Sequence, residues 1–285
     1  MLEEGKIPGL LWYESGQSGI EGDLLEHHND LDRTFLRFAD QWGATRVIFP
    51  PLISASELEK VAYFESFPQL FTAAAGLESD AENLRAFTAG GMLDDGALKL
   101  TTLAPVREIL APAACYPLYI AMQNRTFSER SIFTVRSNCF RREREYHPLQ
   151  RQWAFTMREI VCIGTGAEVR EFLERSRETL DRLFAALALD VTWDVATDPF
   201  FDPRNPQSLM QRVDPVKREM TCHGLAIGSI NYHRHHFGDA FQIRRGEESI
   251  ESGCVAFGIE RWLHVLIQKH GTDYSRWPRT DGWPR

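Results

Sequence analysis

The stretch from Asn138 to Gly164, NCFRREREYHPLQRQWAFTMREIVCIG, constrains the fold more than any other part of the chain. Two strand-like runs, 134–143 and 151–163, flank a polar loop holding His147 and Pro148, which is the pattern of an antiparallel hairpin with a long connection. Side chains alternate between the two faces of a strand. Cys139, Arg141 and Glu143 therefore share one face of the first run, and Arg151, Trp153, Phe155, Met157 and Glu159 share one face of the second. A face built only for burial would carry valine and leucine, because an unpaired buried charge is costly. A flat, anionic ligand accounts for the mixture: guanidinium groups pair with phosphate, an aromatic ring stacks on a base, and a carboxylate holds an amino group or a cation. ATP meets all three requirements. A solvated, salt-bridged strand pair also accounts for the mixture, and the hairpin alone leaves both readings open.

A chain of 285 residues buries a large core, and the pattern predicts one domain over 23–285, with a lead-in at 1–22 and an insertion around 199–220. The net charge of −8 argues against a surface that wraps nucleic acid, since phosphate binding is driven by clustered Lys and Arg. No apolar run reaches the roughly 18 residues of a membrane span, and the start MLEEGKIPGL lacks the basic and apolar regions of a signal peptide, so the expected compartment is the cytoplasm. Five cysteines in such a chain do not suggest a disulfide framework, which leaves metal binding or simple burial for each.

In chain order, Leu24, His28, Leu31, Phe35, Phe38 and Trp42 recur at helical spacing, predicting an amphipathic helix that stops at Gly43. A strand over 45–49 then runs into Pro50 and Pro51, a sequence suited to a sheet edge and a contact between subunits. Phe64, Phe67 and Phe71 read as packing, and 76–96 as a surface loop or an insertion. Cys115, bracketed by Pro112 and Pro117, sits in a turn, where a thiol either points into a site or is an inert buried group. A second amphipathic helix, with Val169, Phe172, Leu180, Leu183 and Leu187 on one face, follows the hairpin. Along 225–233 the alternation places Ser229, Asn231 and His233 on one strand face. The run YHRHHFGD invites a zinc reading at His233 and His235, but no third ligand of suitable spacing follows. Arg261, off the apolar stripe of a last helix, either reaches over the sheet towards a triphosphate or lies on the surface. The final SRWPRTDGWPR reads as a tail whose tryptophans dock on the body.

These segments resemble class II aminoacyl-tRNA synthetases. The helix, strand and Pro50–Pro51 look like motif 1, NCFRRE with QRQWAFTMREI like motif 2, and SGCVAFGIERW like motif 3. The resemblance implies an α+β fold, an antiparallel sheet flanked by helices, in a homodimer. It implies that Arg141 holds the α-phosphate of ATP, that Glu143, Gln150 and Arg151 position the nucleotide, that Phe155 stacks on adenine, and that Arg261 meets the other face and the γ-phosphate. Arg141 and Arg261 are thus the catalytic candidates, and Ser229 and Asn231 the amino-acid-binding ones. Mg2+ would accompany ATP, although 225–231 lacks the acid that related seryl enzymes carry.

The chain is more closely similar to the amino acid:[carrier protein] ligases, relatives of the methanogen-type seryl-tRNA synthetase core. That resemblance implies Zn2+ on Cys115, Glu159 and Cys254, with an open position for the amino group of the substrate. It implies activation of glycine or alanine as an adenylate and transfer to the phosphopantetheine thiol of a carrier protein. With about twenty residues before the motif 1 helix and 24 after Arg261, a tRNA-gripping domain is not expected, so tRNA is the unlikely acceptor. Arg204, Arg212, Lys217 and Arg218 would form the docking patch for an acidic carrier. The alternatives are a seryl-like enzyme acting on tRNA and a non-catalytic synthetase paralogue.

Overall fold

The computed structural model describes residues 7–280 and Trp283. A hairpin comes first, β1 (Leu10–Tyr13) paired with β2 (Gln17–Ile20). Helix α1 (Gly22–Gln41) follows, and then β3 (Thr45–Val47). The motif 2 strands are β4 (Ser131–Phe140) and β5 (Ala154–Gly164), with α2 (Tyr116–Ala121) just before them. Then come α3 (Gly166–Ala186), β6 (Val191–Ala196), α4 (Pro206–Val213), β7 (Lys217–Cys222) and β8 (Leu225–Arg234). After them come α5 (His236–Phe241), β9 (Glu251–Gly258) and α6 (Ile259–His270). Seven strands form the main sheet in the order β6-β7-β8-β9-β5-β4-β3, antiparallel throughout except where β3 runs parallel to β4.

Burial follows the sequence pattern. The apolar stripe of α1 faces the sheet, where Phe35 stacks on Phe257 of β9 with ring centroids 4.0 Å apart and meets Trp262 of α6 at 5.1 Å. Helix α3 starts with a capping box in which Thr165 and Glu168 satisfy each other's backbone donors, and it lays Val169, Phe172, Leu180 and Leu183 into the same core. Asp32 of α1 pairs with Arg158 of β5 through both Nε and Nη2, tying helix to strand behind the sheet. All five cysteines are buried, and none is paired in a disulfide.

Four expectations change. The lead-in is not loose, because residues 10–20 form the β1–β2 hairpin. The strand expected over 45–49 ends at Val47, since Pro50 and Pro51 offer no ladder donor, and Ile48 is left 87% exposed beside this sheet edge. The insertion closes at 216 rather than 220, because Lys217 already belongs to β7, and within it α4 replaces an irregular loop. The surface loop at 76–96 likewise holds a helix, Ala81–Ala89, capped by Asp80 accepting from Glu82 N and Asn83 N. The C-terminal tryptophans do dock: Trp277 lies 4.6 Å from His27 and Trp283 5.8 Å from Phe38, both on α1.

Candidate active site

The open face of the main sheet floors a cavity of 530 Å³. Period-two alternation on four neighbouring strands puts its chemistry there. Cross-strand pairing aligns Glu159, Ala256, Ser229 and Glu219 in one row, from β5 to β7. The next row brings together Cys254, Asn231 and Lys217. Paired residues on antiparallel strands share a face, so every polar side chain in these rows points into the cavity.

Arg141, Phe155 and Arg261 meet in the same cavity. Arg141 donates from Nε to Pro112 O at 2.8 Å, which holds its guanidinium 5.4 Å from the centre of the Phe155 ring. Arg261 donates from Nε to Gln150 O at 2.7 Å and from Nη1 to Ala226 O at 2.8 Å. Backbone carbonyls neutralise neither charge. Burial pushes Arg261 below its ordinary value and Arg141 adds to the shift, against an opposing pull from Glu219 and Glu143. Two fixed guanidinium groups that repel each other in a half-buried cleft form a site made for a polyanion. Glu143, Gln150 and Arg151 line the cavity from the β4–β5 connection, which a His147–Arg151 bridge closes. Beneath them the Glu260 carboxylate accepts from Thr156 N at 2.9 Å, fixing the start of β5 next to Phe155.

The three proposed metal ligands are neighbours. Cys115 hydrogen-bonds to both Cys254 and Glu159, and Glu159 Oε1 accepts from Ala114 N at 2.9 Å. That bond to Cys254 pushes the Cys115 thiol well above its ordinary value, with burial and Glu159 adding to it. The same bond holds Cys254 well below, as does His233, against the effect of burial. Burial, reinforced by Cys254, raises the Glu159 carboxyl to about 7. Among the described residues no group of three or more His, Cys, Asp or Glu side chains is disposed as a ready metal cluster. The donor chemistry nonetheless fits zinc: two thiols and one carboxylate, with Asn231 Nδ2 donating to Cys254 Sγ at 3.3 Å and Ala114 orienting the carboxylate.

Other participants escaped the sequence reading. His233 places Nε2 3.7 Å from Cys254 Sγ and Nδ1 3.1 Å from Tyr119 Oη, so it supports the thiol cluster rather than forming a site with His235. Its parity with Ser229 and Asn231 was the available signal. Asn231 Nδ2 also donates to Ser229 Oγ at 3.0 Å. Of the four residues expected in the docking patch, Arg204, Arg212 and Arg218 are exposed and Lys217 is not. Lys217 is inside the cavity, its Nζ 3.1 Å from both Asp198 and Glu219, because its strand parity matches Glu219 rather than the exposed Arg218. Arg204 pairs with Asp202.

The fold is that of the class II tRNA synthetase core. The model of the tRNA synthetase class II core domain (G, H, P, S and T) matches residues 106–270. The M. kandleri SerRS, solved in complex with A. aeolicus tRNASec, superposes with a TM-score of 0.82 at 21% identity, over 97% of this chain and 57% of that one. Type-2 serine–tRNA ligase of Methanothermobacter thermautotrophicus is 25% identical over 98% of this chain, which spans 60% of that relative. Amino acid–[acyl-carrier-protein] ligase 1 of Bradyrhizobium diazoefficiens is 34% identical over 94% of this chain and 85% of its own length, and ligase 2 of the same organism 32% over 95% and 84%. Within the class II core, the chain belongs to the amino acid–[acyl-carrier-protein] ligases.

Proposed function

We propose that the protein activates a small amino acid, glycine or alanine, with ATP and passes it to the phosphopantetheine thiol of a carrier protein. The observation that carries this reading is a single cavity uniting the Arg141–Phe155–Arg261 cradle with the Cys115–Glu159–Cys254 cluster. In the first half-reaction an oxygen of the amino acid carboxylate attacks the α-phosphorus of ATP, forming the aminoacyl-adenylate as pyrophosphate leaves. Phe155 stacks on adenine, Arg141 holds the α-phosphate, and Arg261 meets the other face of the base and the γ-phosphate; Glu143, Gln150 and Arg151 fix the nucleotide. Their contribution is orientation and charge stabilisation. In the second half-reaction the carrier thiolate attacks the adenylate carbonyl, a thioester forms, and AMP departs.

Ser229 and Asn231 are the residues assigned to the amino acid. Cys115, Glu159 and Cys254 would hold Zn2+, a Lewis acid that binds the substrate amino group, while Mg2+ bound with ATP would offset phosphate charge. We further assign the exposed edge at β3, with Ile48, to the contact between copies in a homodimer, and the cytoplasm as compartment. No helix among the described residues is long and apolar enough to cross a membrane. Amino-acid-dependent ATP–pyrophosphate exchange, run across all amino acids with zinc content measured on the same sample, tests the reading. Exchange with glycine or alanine and one zinc per chain is the expected result, with zinc lost in Cys254→Ser. No exchange with any amino acid contradicts it.

A further inference from the structure

The β1–β2 hairpin reaches the wall of the nucleotide site. Its base is anchored to the body: Glu21 N donates to Gly9 O at 2.8 Å and Tyr274 Oη donates to Pro8 O at 2.8 Å. Its tip lies on the β4–β5 connection. Trp153 N donates to Gly16 O at 2.7 Å, and Ser18 Oγ donates to Gln152 Oε1, the atom that also accepts from Leu149 N at 3.2 Å. Gly16 has φ +87° and is buried although its neighbours in the turn are exposed. The reason is Tyr146: a Cβ on Gly16 would lie 2.6 Å from the Tyr146 Cγ and within 2.8 Å of two more ring atoms. Tyr146 Oη in turn accepts from Glu143 N at 3.4 Å. Both ends of the connection bearing Glu143, Gln150 and Arg151 are therefore gripped from outside the motif 2 strands.

We infer that the N-terminal hairpin is a positioning element of the nucleotide site, its tip holding the motif 2 connection in the conformation that receives ATP through Gly16, Ser18, Tyr146 and Gln152. Gly16 and Ser18 touch no reacting atom and act through that connection. This rests on the ATP-binding reading above. A flexible loop must otherwise be ordered by the nucleotide itself, which weakens apparent affinity.

The test compares Gly16→Ala with Gly9→Ala on the full chain, with Ser18→Ala as a milder variant. Gly9 also has a positive φ, and a Cβ there would lie 2.5 Å from Glu21 O, so its substitution strains the hairpin at the base and leaves the tip untouched. Two readouts are taken: hydrogen exchange of residues 143–152 in the ligand-free protein, and binding of a non-hydrolysable ATP analogue by calorimetry. Gly16→Ala should deprotect 143–152 and weaken analogue binding by on the order of tenfold or more, Ser18→Ala less, while Gly9→Ala lowers Tm and leaves both readouts near wild type. Equal effects of Gly16→Ala and Gly9→Ala at similar Tm loss would overturn the inference, as would deprotection without loss of affinity. A wild-type protein that binds no analogue contradicts the proposed function itself, and the exchange arm still decides whether the hairpin orders the connection.

Discussion

Arg261 makes two directed bonds to carbonyls on different elements, Gln150 O and Ala226 O, before any ligand arrives. Lysine keeps the charge but cannot span both acceptors. Arg261→Lys should therefore lower exchange activity by about 10²–10³-fold with little change in Tm, the size seen for loss of a preorganised electrostatic donor. A Tm scan beside the exchange assay checks it. His264 makes a separate prediction. It is 3% exposed, its Nδ1 has no hydrogen-bond partner among the described residues, and burial lowers its pKa to about 4. The folded state thus refuses a proton that the unfolded chain accepts from about pH 6.5 downward. Stability should fall as pH drops from about 6.5 towards 4, and His264→Leu should flatten that slope in chemical denaturation. Strand parity made much of this scale legible: Glu159, Ser229 and Asn231 face the cavity as alternation requires. Lys217 was not legible, because no periodic pattern marks where the insertion ends and β7 begins, so its parity with Glu219 carries no signal until that boundary is known.

Elements behave differently from residues in what they reveal. Helices α1, α3 and α6 announce themselves by period, because each presents an apolar stripe to one core. The hairpin at 10–20 does not: its strands have four residues each and its glycines mimic a loose segment. The segment 197–216 also hides its role, since it packs through particular contacts rather than a stripe. Phe201 N donates to Ser66 O at 2.9 Å, Phe200 stacks on Phe67 with centroids 5.0 Å apart, and Gln211 Nε2 donates to Asp198 Oδ2 at 2.9 Å. Asp198 is held below its ordinary value by Lys217 and Gln211 against the effect of burial, and it joins this segment to β7. Asp198→Ala leaves Lys217 with Glu219 alone in a side-chain environment only 15% exposed. The expected outcome is a loss of about 1–3 kcal/mol in denaturant unfolding and a raised KM for the amino acid, with KM for ATP much less affected. An equal rise in both would place the segment's influence elsewhere.

At the scale of the molecule, one sheet serves two purposes. Its back buries Phe35, Phe257 and Trp262 under three helices, and its front gathers arginines, thiols and carboxylates that no core would tolerate unpaired. In a chain of net charge −8, the cleft sets Arg141 and Arg261 among carboxylates that include Glu143 and Glu219. The central claim is that the activated amino acid ends on a carrier thiol. Its most direct measurement incubates the enzyme with ATP and radiolabelled glycine or alanine, and offers in parallel phosphopantetheinylated carrier, the same carrier without the prosthetic group, and total tRNA. Label should appear only on the phosphopantetheinylated carrier, in a bond cleaved by hydroxylamine, as a thioester is. Label on tRNA with none on the carrier would contradict the account.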